Sequence, residues 1–192
     1  MVLSAHGLIS YEGANSIRPC PPQGIWGFCG NYAGSVKEPA YSFHPRDPDR
    51  KPKRFRSIVL ESSWTSTEPE PVDVSRLWHE GSEGRVRVVI LVKLDKPNAQ
   101  NQSGATLKIS HCTPGAGATA TATQIVYLFY FTEVFPAPGS VPEDPTITME
   151  ELFRGLCPPG YNPATVLTLR VDQLRREIEM FSIRPISANL PA

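Results

Sequence analysis

Residues 86–94, with the sequence VRVVILVKL, place the strongest constraint on what this chain can fold into. Alternate positions on one face of an extended chain are all apolar here: Val86, Val88, Ile90, Val92 and Leu94. The middle of the other face is also apolar, with Val89 and Leu91. A strand that is apolar on both faces needs cover on both sides. We therefore predict that it lies at the centre of a sheet with helices or loops packed on each face.

The segment before this strand predicts a strand and then a helix. Ser57–Glu61 is β-branched and apolar and ends in a carboxylate, so it is typical of a strand. A helix is predicted from Pro71 to Glu80, because proline fits the first helical position and Gly81 can adopt the left-handed conformation that ends a helix. Strand, helix and strand in this order predict a βαβ-like unit with a right-handed crossover.

Two residues near the end of this helix have separate expected roles. Trp78 shares the inward helical face with Val74 and Leu77, in i, i+3, i+4 spacing, so we expect it in the core. His79 lies in the last turn, where a cation complements the helix dipole, so we expect it to cap the helix C-terminus.

The rest of the chain alternates short strands, proline-rich connections and two further helices. Residues 1–24 are expected to be irregular, because prolines interrupt them. Further elements are predicted by apolar periodicity and capping signals: strands at 25–34, 41–44, 107–110, 124–135 and 165–169, loops at 45–56 and 113–123, a helix at 148–156 opened by a capping box between Thr148 and Glu151, and a helix at 171–181.

These elements predict a single α/β domain over residues 1–192, built on a central mixed sheet flanked by helices. Nineteen basic and nineteen acidic residues give zero net charge, which argues against strong non-specific nucleic-acid binding. The proline-punctuated loop at 46–56 is locally basic, and it is either a solvated loop or a phosphate-facing arm.

Targeting signals and cysteine spacing point to an intracellular protein. The sequence shows no secretory signal and no apolar run long enough to span a bilayer, so we expect no membrane association and a cytoplasmic or nuclear location. Four cysteines without CxxC spacing (Cys20, Cys29, Cys112 and Cys157) are expected to be free thiols. A Cys–His catalytic pair or zinc site, formed with His44 or His111, needs these side chains to converge in space, and spacing alone does not show that.

Four short segments resemble a large set of fungal proteins of the restriction-endonuclease-like PD-(D/E)XK superfamily: 34–40 (GSVKEPA), 56–66 (RSIVLESSWTS), 77–82 (LWHEGS) and 88–93 (VVILVK). The resemblance covers about residues 30–95 and implies a restriction-endonuclease-like core. Residues 105–185 are then a C-terminal extension of added strands and helices.

The resemblance also implies a site for magnesium-dependent phosphodiester hydrolysis. In that superfamily a strand end carries Pro-Asp and the next strand carries Glu-x-Lys, in which the carboxylates hold Mg²⁺ and the lysine orients the attacking water. In this chain Pro39 matches the proline and Glu61 matches the glutamate and metal ligand. Ala40 stands in place of the aspartate and Ser63 in place of the lysine. Standard hydrolysis is therefore expected to be impaired or lost.

Lost groups are sometimes supplied from other positions in such a fold. Glu38 is the candidate second carboxylate, and Arg76 or Lys93 the candidate cation, although all three also fit ordinary surface charges. Candidate substrate contacts are Trp64, Ser63, Arg54 and Lys53.

Three functions stay open: a divergent nuclease acting on nucleic acid with Mg²⁺, a small-molecule acid–base enzyme that uses Glu61 in an aromatic pocket without a cofactor, and a non-catalytic binding module.

Overall fold

The computed structural model describes residues 15–46, 55–63, 71–94, 104–114, 125–135 and 144–176. The strands in these ranges are β1 (Ile17–Cys20), β2 (Ile25–Trp26), β3 (Val36–Lys37), β4 (Tyr41–Pro45), β5 (Ile58–Ser63), β6 (Val88–Leu94), β7 (Ala105–Pro114), β8 (Ile125–Phe135), β9 (Thr146–Thr148) and β10 (Val166–Thr168). The helices are α1 (Pro71–Gly81) and α2 (Met149–Phe153), with a 3-10 turn at Gly30–Tyr32. Residues 171–176 are also helical.

Across the described ranges, six strands form one mixed sheet in the order β1-β4-β5-β6-β7-β8. Neighbouring strands are antiparallel except for β5 and β6, which are parallel and are joined through α1. The predicted α/β class, the βαβ connection and the central position of the 86–94 strand are therefore confirmed. Two small antiparallel ribbons, β2–β3 and β9–β10, lie outside this sheet.

Each face of the sheet is covered by a different part of the chain. The face that we call the α1 face packs Val59 and Val89 against Phe28, Phe55 and Trp78. The opposite face, which we call the α2 face, carries the preceding residues of the same strands, Ile58 and Val88. They belong to a cluster with residues of the C-terminal elements: Ile147, Met149, Leu152, Phe153, Leu167 and Val171. Strand β6 is thus apolar on both faces because both faces are buried, as the alternation predicts.

Helix α1 begins at the predicted proline, and Trp78 is fully buried in the core as expected. The predicted role of Gly81 is wrong. Gly81 is the last helical residue, and the left-handed residues are Glu83 (φ 56°) and Gly84 (φ 71°) in the following turn. A Cβ atom at Gly81 would lie 2.9 Å from Cδ1 of Phe28, so glycine is needed here for close packing.

The C-terminal elements are fixed to the sheet by side chains of α2 and its cap. The predicted capping box is present, with Thr148 Oγ1 accepting from the Glu151 backbone N–H and the Glu151 side chain accepting from the Thr148 N–H. Arg154, just after the helix, donates from Nη1 to the backbone oxygens of Phe55 (3.0 Å) and Arg85 (3.2 Å), next to the starts of β5 and β6.

Three other expectations about elements need correction. Of the strand predicted at 25–34, only Ile25–Trp26 are extended in a strand, and Gly30–Tyr32 form a 3-10 turn. Residues 1–24 were expected to be irregular, but Ile17–Cys20 form β1 at the sheet edge, where Pro19 needs no ladder hydrogen bond on its outer side. The strand predicted at 107–110 is longer and extends from Ala105 to Pro114, because it pairs with β6 on one side and β8 on the other. Of the predicted helix at 171–181, residues 177–181 lie outside the described residues. Within the described ranges, no helix is long and apolar enough to cross a membrane.

Candidate functional site

Glu61 lies on β5 at the α1 face, two residues after the buried Val59. Its side chain is half-buried, and Oε1 accepts a hydrogen bond of 2.8 Å from Nε1 of Trp78. An N–H donor to a carboxylate stabilises the ionised form and holds it in one orientation. The strand and the helix of the βαβ unit therefore meet through this carboxylate.

The strand register places two lysines on the same face as Glu61. Ser63 pairs with Lys93 of β6, and Glu61 pairs with Leu91, which in turn pairs with Lys108 of β7. Paired residues in neighbouring strands project from the same face, with strands about 4.8 Å apart. From this geometry the Cα of Lys93 lies about 8 Å from that of Glu61, and the Cα of Lys108 about 10 Å away. One carboxylate and two ammonium groups thus share the α1 face.

Lys108 is a residue of this face that the sequence alone does not single out. It is only 4% exposed, whereas lysines are almost always on the surface. Its sequence neighbours Leu107 and Ile109 face the α2 cluster, so the alternation left a single charged residue on the opposite face of a buried strand. The alternation can be read from the sequence. It indicates a buried lysine only when β7 is known to have a strand on each side.

The other predicted site residues have the following positions. Lys93 and Ser63 are both half-buried in the sheet, next to each other. Glu38 is exposed in the short link between β3 and β4, and Arg76 is exposed on α1. Roles for Glu38 and Arg76 stay predictions. The three remaining candidates, Trp64, Arg54 and Lys53, lie outside the described residues. Most of the basic 46–56 loop also lies outside them.

The end of the 46–56 loop has a structural role. Phe55 is 1% exposed in the α1-face cluster. Arg56 Nη2 donates to Oε1 of Gln23 at 3.0 Å.

Ala40 directly precedes β4, whose first residue Tyr41 pairs with Leu60 of β5. Ala40 is a bend residue outside this pairing, at the end of β4 that adjoins Leu60 and Glu61. The position that the resemblance assigns to the second carboxylate is thus at the neighbouring strand end, but it carries a methyl group. Among the described residues, no group of three His, Cys, Asp or Glu side chains is arranged to hold a metal ion.

His79 is fully buried, and the prediction that it caps the helix as a cation is wrong. Its Nδ1 lies 3.0 Å from the backbone oxygen of Val86, so Nδ1 carries the hydrogen, and Nε2 lies 2.5 Å from Oγ of Ser110, whose hydroxyl donates to it. Burial lowers the pKa of His79 to about 4, against the raising effect of the Val86 carbonyl. The ring is neutral at pH 7 and links α1 to β7.

His111 and Cys112 are adjacent on β7 and therefore project from opposite faces. His111 Nδ1 contacts Oε1 of Glu151 at 2.6 Å on the α2 face. Burial acts to raise the pKa of Glu151, but hydrogen bonds with His111 and Thr148 outweigh it, and the pKa is lowered overall. These two neighbours cannot form a Cys–His pair with each other.

Cys112 is a buried thiol. Burial raises its pKa to about 11, although the charge of Arg87 opposes the shift. A thiol with so high a pKa is a poor nucleophile at neutral pH. The four cysteines, all within the described ranges, are free, as the sequence predicts.

The chain has no match among known protein families, curated proteins or solved structures. Its relation to the restriction-endonuclease-like superfamily therefore stays a proposal that rests on the sequence segments and on the geometry around Glu61.

Proposed function

We propose that this chain is a divergent protein of the restriction-endonuclease-like fold that binds phosphodiester groups of a nucleic acid but does not hydrolyse them by the standard magnesium mechanism. The pairing of Lys93 with Ser63 carries the proposal. Ser63 occupies the position of the superfamily lysine, and the ammonium group of Lys93 is supplied from the neighbouring strand on the same face. The positive part of the site is thus retained at a new position.

The negative part of the site is not retained in the same way. The pattern of a proline-bearing strand next to a glutamate-bearing strand is reproduced by Pro39, β4 and β5, but Ala40 provides no metal ligand. Magnesium prefers several oxygen ligands, and Glu61 alone is a poor site for it. Lys93 is half-buried and is the proposed phosphate contact, whereas Lys108 is only 4% exposed and serves to offset the negative charge of Glu61 on the same face.

Binding is tested by fluorescence anisotropy with labelled single-stranded and duplex DNA and RNA at several salt concentrations. We expect affinity that falls with salt, and a Lys93→Gln variant whose log–log salt slope is smaller by about 0.7–0.9, the loss of one phosphate contact. Lys37→Gln is the matched control, because Lys37 is also half-buried on a strand but belongs to the separate β2–β3 ribbon. Equal effects of the two substitutions, or no binding by the unaltered protein, contradict the proposal.

The missing hydrolysis is tested by restoring the carboxylate. We expect no cleavage with Mg²⁺ or Mn²⁺ in the unaltered protein and metal-dependent cleavage in Ala40→Asp. Ala40→Asn, which has the same shape without the charge, is the control and should stay inactive. Metal-dependent cleavage by the unaltered protein that is abolished by Glu61→Gln would show an active nuclease instead.

Small-molecule acid–base chemistry at Glu61 is the alternative. The Trp78 N–H favours the ionised carboxylate and so disfavours Glu61 as an acid, which leaves a base as its only role. Turnover of a small molecule that is lost in Glu61→Gln, by a protein that binds no nucleic acid, would favour this alternative.

A further inference from the structure

The two edges of the six-stranded sheet differ in how they are protected. Strand β1 has four residues and contains Arg18 and Pro19. Short length, a positive charge and a proline are the devices with which natural proteins prevent an edge from pairing with another strand. The first edge of the sheet is therefore protected.

Strand β8, at the other edge, has none of these three devices, and the register shift next to Phe135 is confined to its C-terminal end. It is eleven residues long, from Ile125 to Phe135, and spans about 36 Å at 3.3 Å per residue. Its sequence, IVYLFYFTEVF, contains no proline and no lysine or arginine, and Glu133 is its only charged residue. Such composition is typical of segments that add to other strands.

The backbone of β8 is paired on one side. Ten residue pairs connect it to β7, from Ala105 with Phe135 to Pro114 with Ile125. Among the described strands β8 ends the sheet order, so the backbone groups on its outer side have no strand beside them there. A strand of this length carries several outward N–H and C=O groups, which form a template for pairing with a further strand.

We propose that β8 is the interface of a homodimer in which two copies pair their β8 strands antiparallel about a two-fold axis. A second copy is the fitting partner because identical strands related by such an axis run antiparallel and exchange hydrogen bonds reciprocally, so the contact closes. The chain has zero net charge, so no long-range repulsion separates the copies.

This arrangement makes one continuous sheet with a defined relation between its halves. The axis that pairs the strands antiparallel lies perpendicular to the sheet, so the α1 faces of both copies lie on the same side. The Lys108 strands are then separated by three strand spacings, about 14 Å. The dimer does not depend on the proposed function, but it would place both candidate sites on one surface.

Mass and amide exchange test the dimer in the unmodified protein. Light scattering after size exclusion should give twice the chain mass of 21.1 kDa, falling toward one chain mass on dilution. In a free edge strand only the alternate amides that bond to the neighbouring strand are protected from hydrogen exchange. The dimer predicts that the outward amides of β8 are protected as well as those that bond to β7. On dilution the outward amides should lose this protection. A monomer at every concentration, or growth into larger oligomers, overturns the proposal. Full protection of both sets in a monomer also overturns it.

A pair of proline variants separates the interface from the fold. Because successive N–H groups of a strand point to opposite sides, one of Phe129→Pro and Tyr130→Pro removes a donor to β7 and the other removes a donor at the open edge. We expect the proline variant that loses the donor at the open edge to fold as a monomer with the circular dichroism of the unaltered protein. Phe129→Ala and Tyr130→Ala, which keep the backbone donors, are the controls and should remain dimeric. If both prolines prevent folding, the dilution dependence of amide exchange decides the question.

Discussion

The buried pair of His79 and Ser110 makes the stability of this protein depend on pH in a defined window. The imidazole donates to the Val86 carbonyl and accepts from the Ser110 hydroxyl, so both ring nitrogens are used in the neutral form. A proton added to Nε2 would remove that acceptor and place a charge in the core. Burial accordingly lowers the pKa of His79 from 6.5 to about 4.

The direction and size of the effect follow from proton linkage. The unfolded chain protonates His79 near pH 6.5, whereas the folded chain does so near 4. Acid therefore favours the unfolded state between these two values, and the contribution of His79 to stability is full above pH 6.5 and lost as the pH falls to 4. The difference of pKa corresponds to about 3 kcal/mol. Glu151, whose pKa is also lowered, gives its full stabilisation above its unfolded value of 4.5, so it changes the pH dependence only below that value.

Urea denaturation at a series of pH values between 7 and 4 measures this contribution. We expect His79→Asn, which keeps a donor near Val86 but does not titrate, to be less stable at pH 7 by about 1–3 kcal/mol and to lose less stability on acidification than the unaltered protein. An NMR titration should find His79 neutral, with the hydrogen on Nδ1, down to pH 5. Equal pH slopes in the two proteins, or a ring that titrates near 6.5, would refute the reasoning.

Three further substitutions test packing and hydrogen bonding. Gly81→Ala should lower the free energy of unfolding by about 1–3 kcal/mol, because its Cβ would clash with Phe28, and thermal denaturation measures the loss. Glu151→Gln should cost about 1–3 kcal/mol at pH 7 by weakening the contact with His111 and the capping box; the difference in urea midpoint should shrink in acid, since a carboxyl with a lowered pKa stabilises only while ionised. Trp78→Phe removes the donor to the candidate carboxylate and should cost about 1–3 kcal/mol in urea.

Matched controls distinguish these effects from general sensitivity to substitution. Gly24→Ala would place its Cβ at an ordinary 3.8 Å from Val36 Cγ1, so we expect a change within about 0.5 kcal/mol. Glu150→Gln changes the neighbouring carboxylate in the same first turn of α2 and should leave the acid dependence unaltered. If Gly24→Ala and Glu150→Gln lower the free energy of unfolding as much as Gly81→Ala and Glu151→Gln do, the contacts assigned to Gly81 and Glu151 are contradicted.

The sequence predicts those parts of the fold in which local pattern and tertiary environment agree. Strand β6 is apolar on both faces and lies at the centre of the sheet, and the capping box at Thr148 opens α2 as expected. Strand β1 was missed because Pro19 is compatible with a strand only at an edge, and edge position is set by the partner strand β4. The charge of His79 was misjudged because its burial comes from β7, which is distant in sequence.

The candidate site illustrates the same limit. Glu61 and Lys93 were selected by residue type and resemblance, but nothing local shows that Lys93 pairs with Ser63. Register between strands is set by the whole sheet. Lys108 was overlooked for the same reason, since its position in one row with Glu61 depends on two successive strand pairings.

The cover of the α2 face has a consequence for how the protein is made. Strands β5 and β6 leave the ribosome early, but the residues that bury Ile58 and Val88, from Ile147 to Val171, are synthesised much later. Between Leu94 and Val171 roughly 80 residues are added, which takes about 4–16 s at typical synthesis rates. During that interval the βαβ unit has one apolar face open, and Arg154, which ties the C-terminal elements to both strand starts, is added only in its last part. The nascent chain thus presents to chaperones a surface that the finished protein hides.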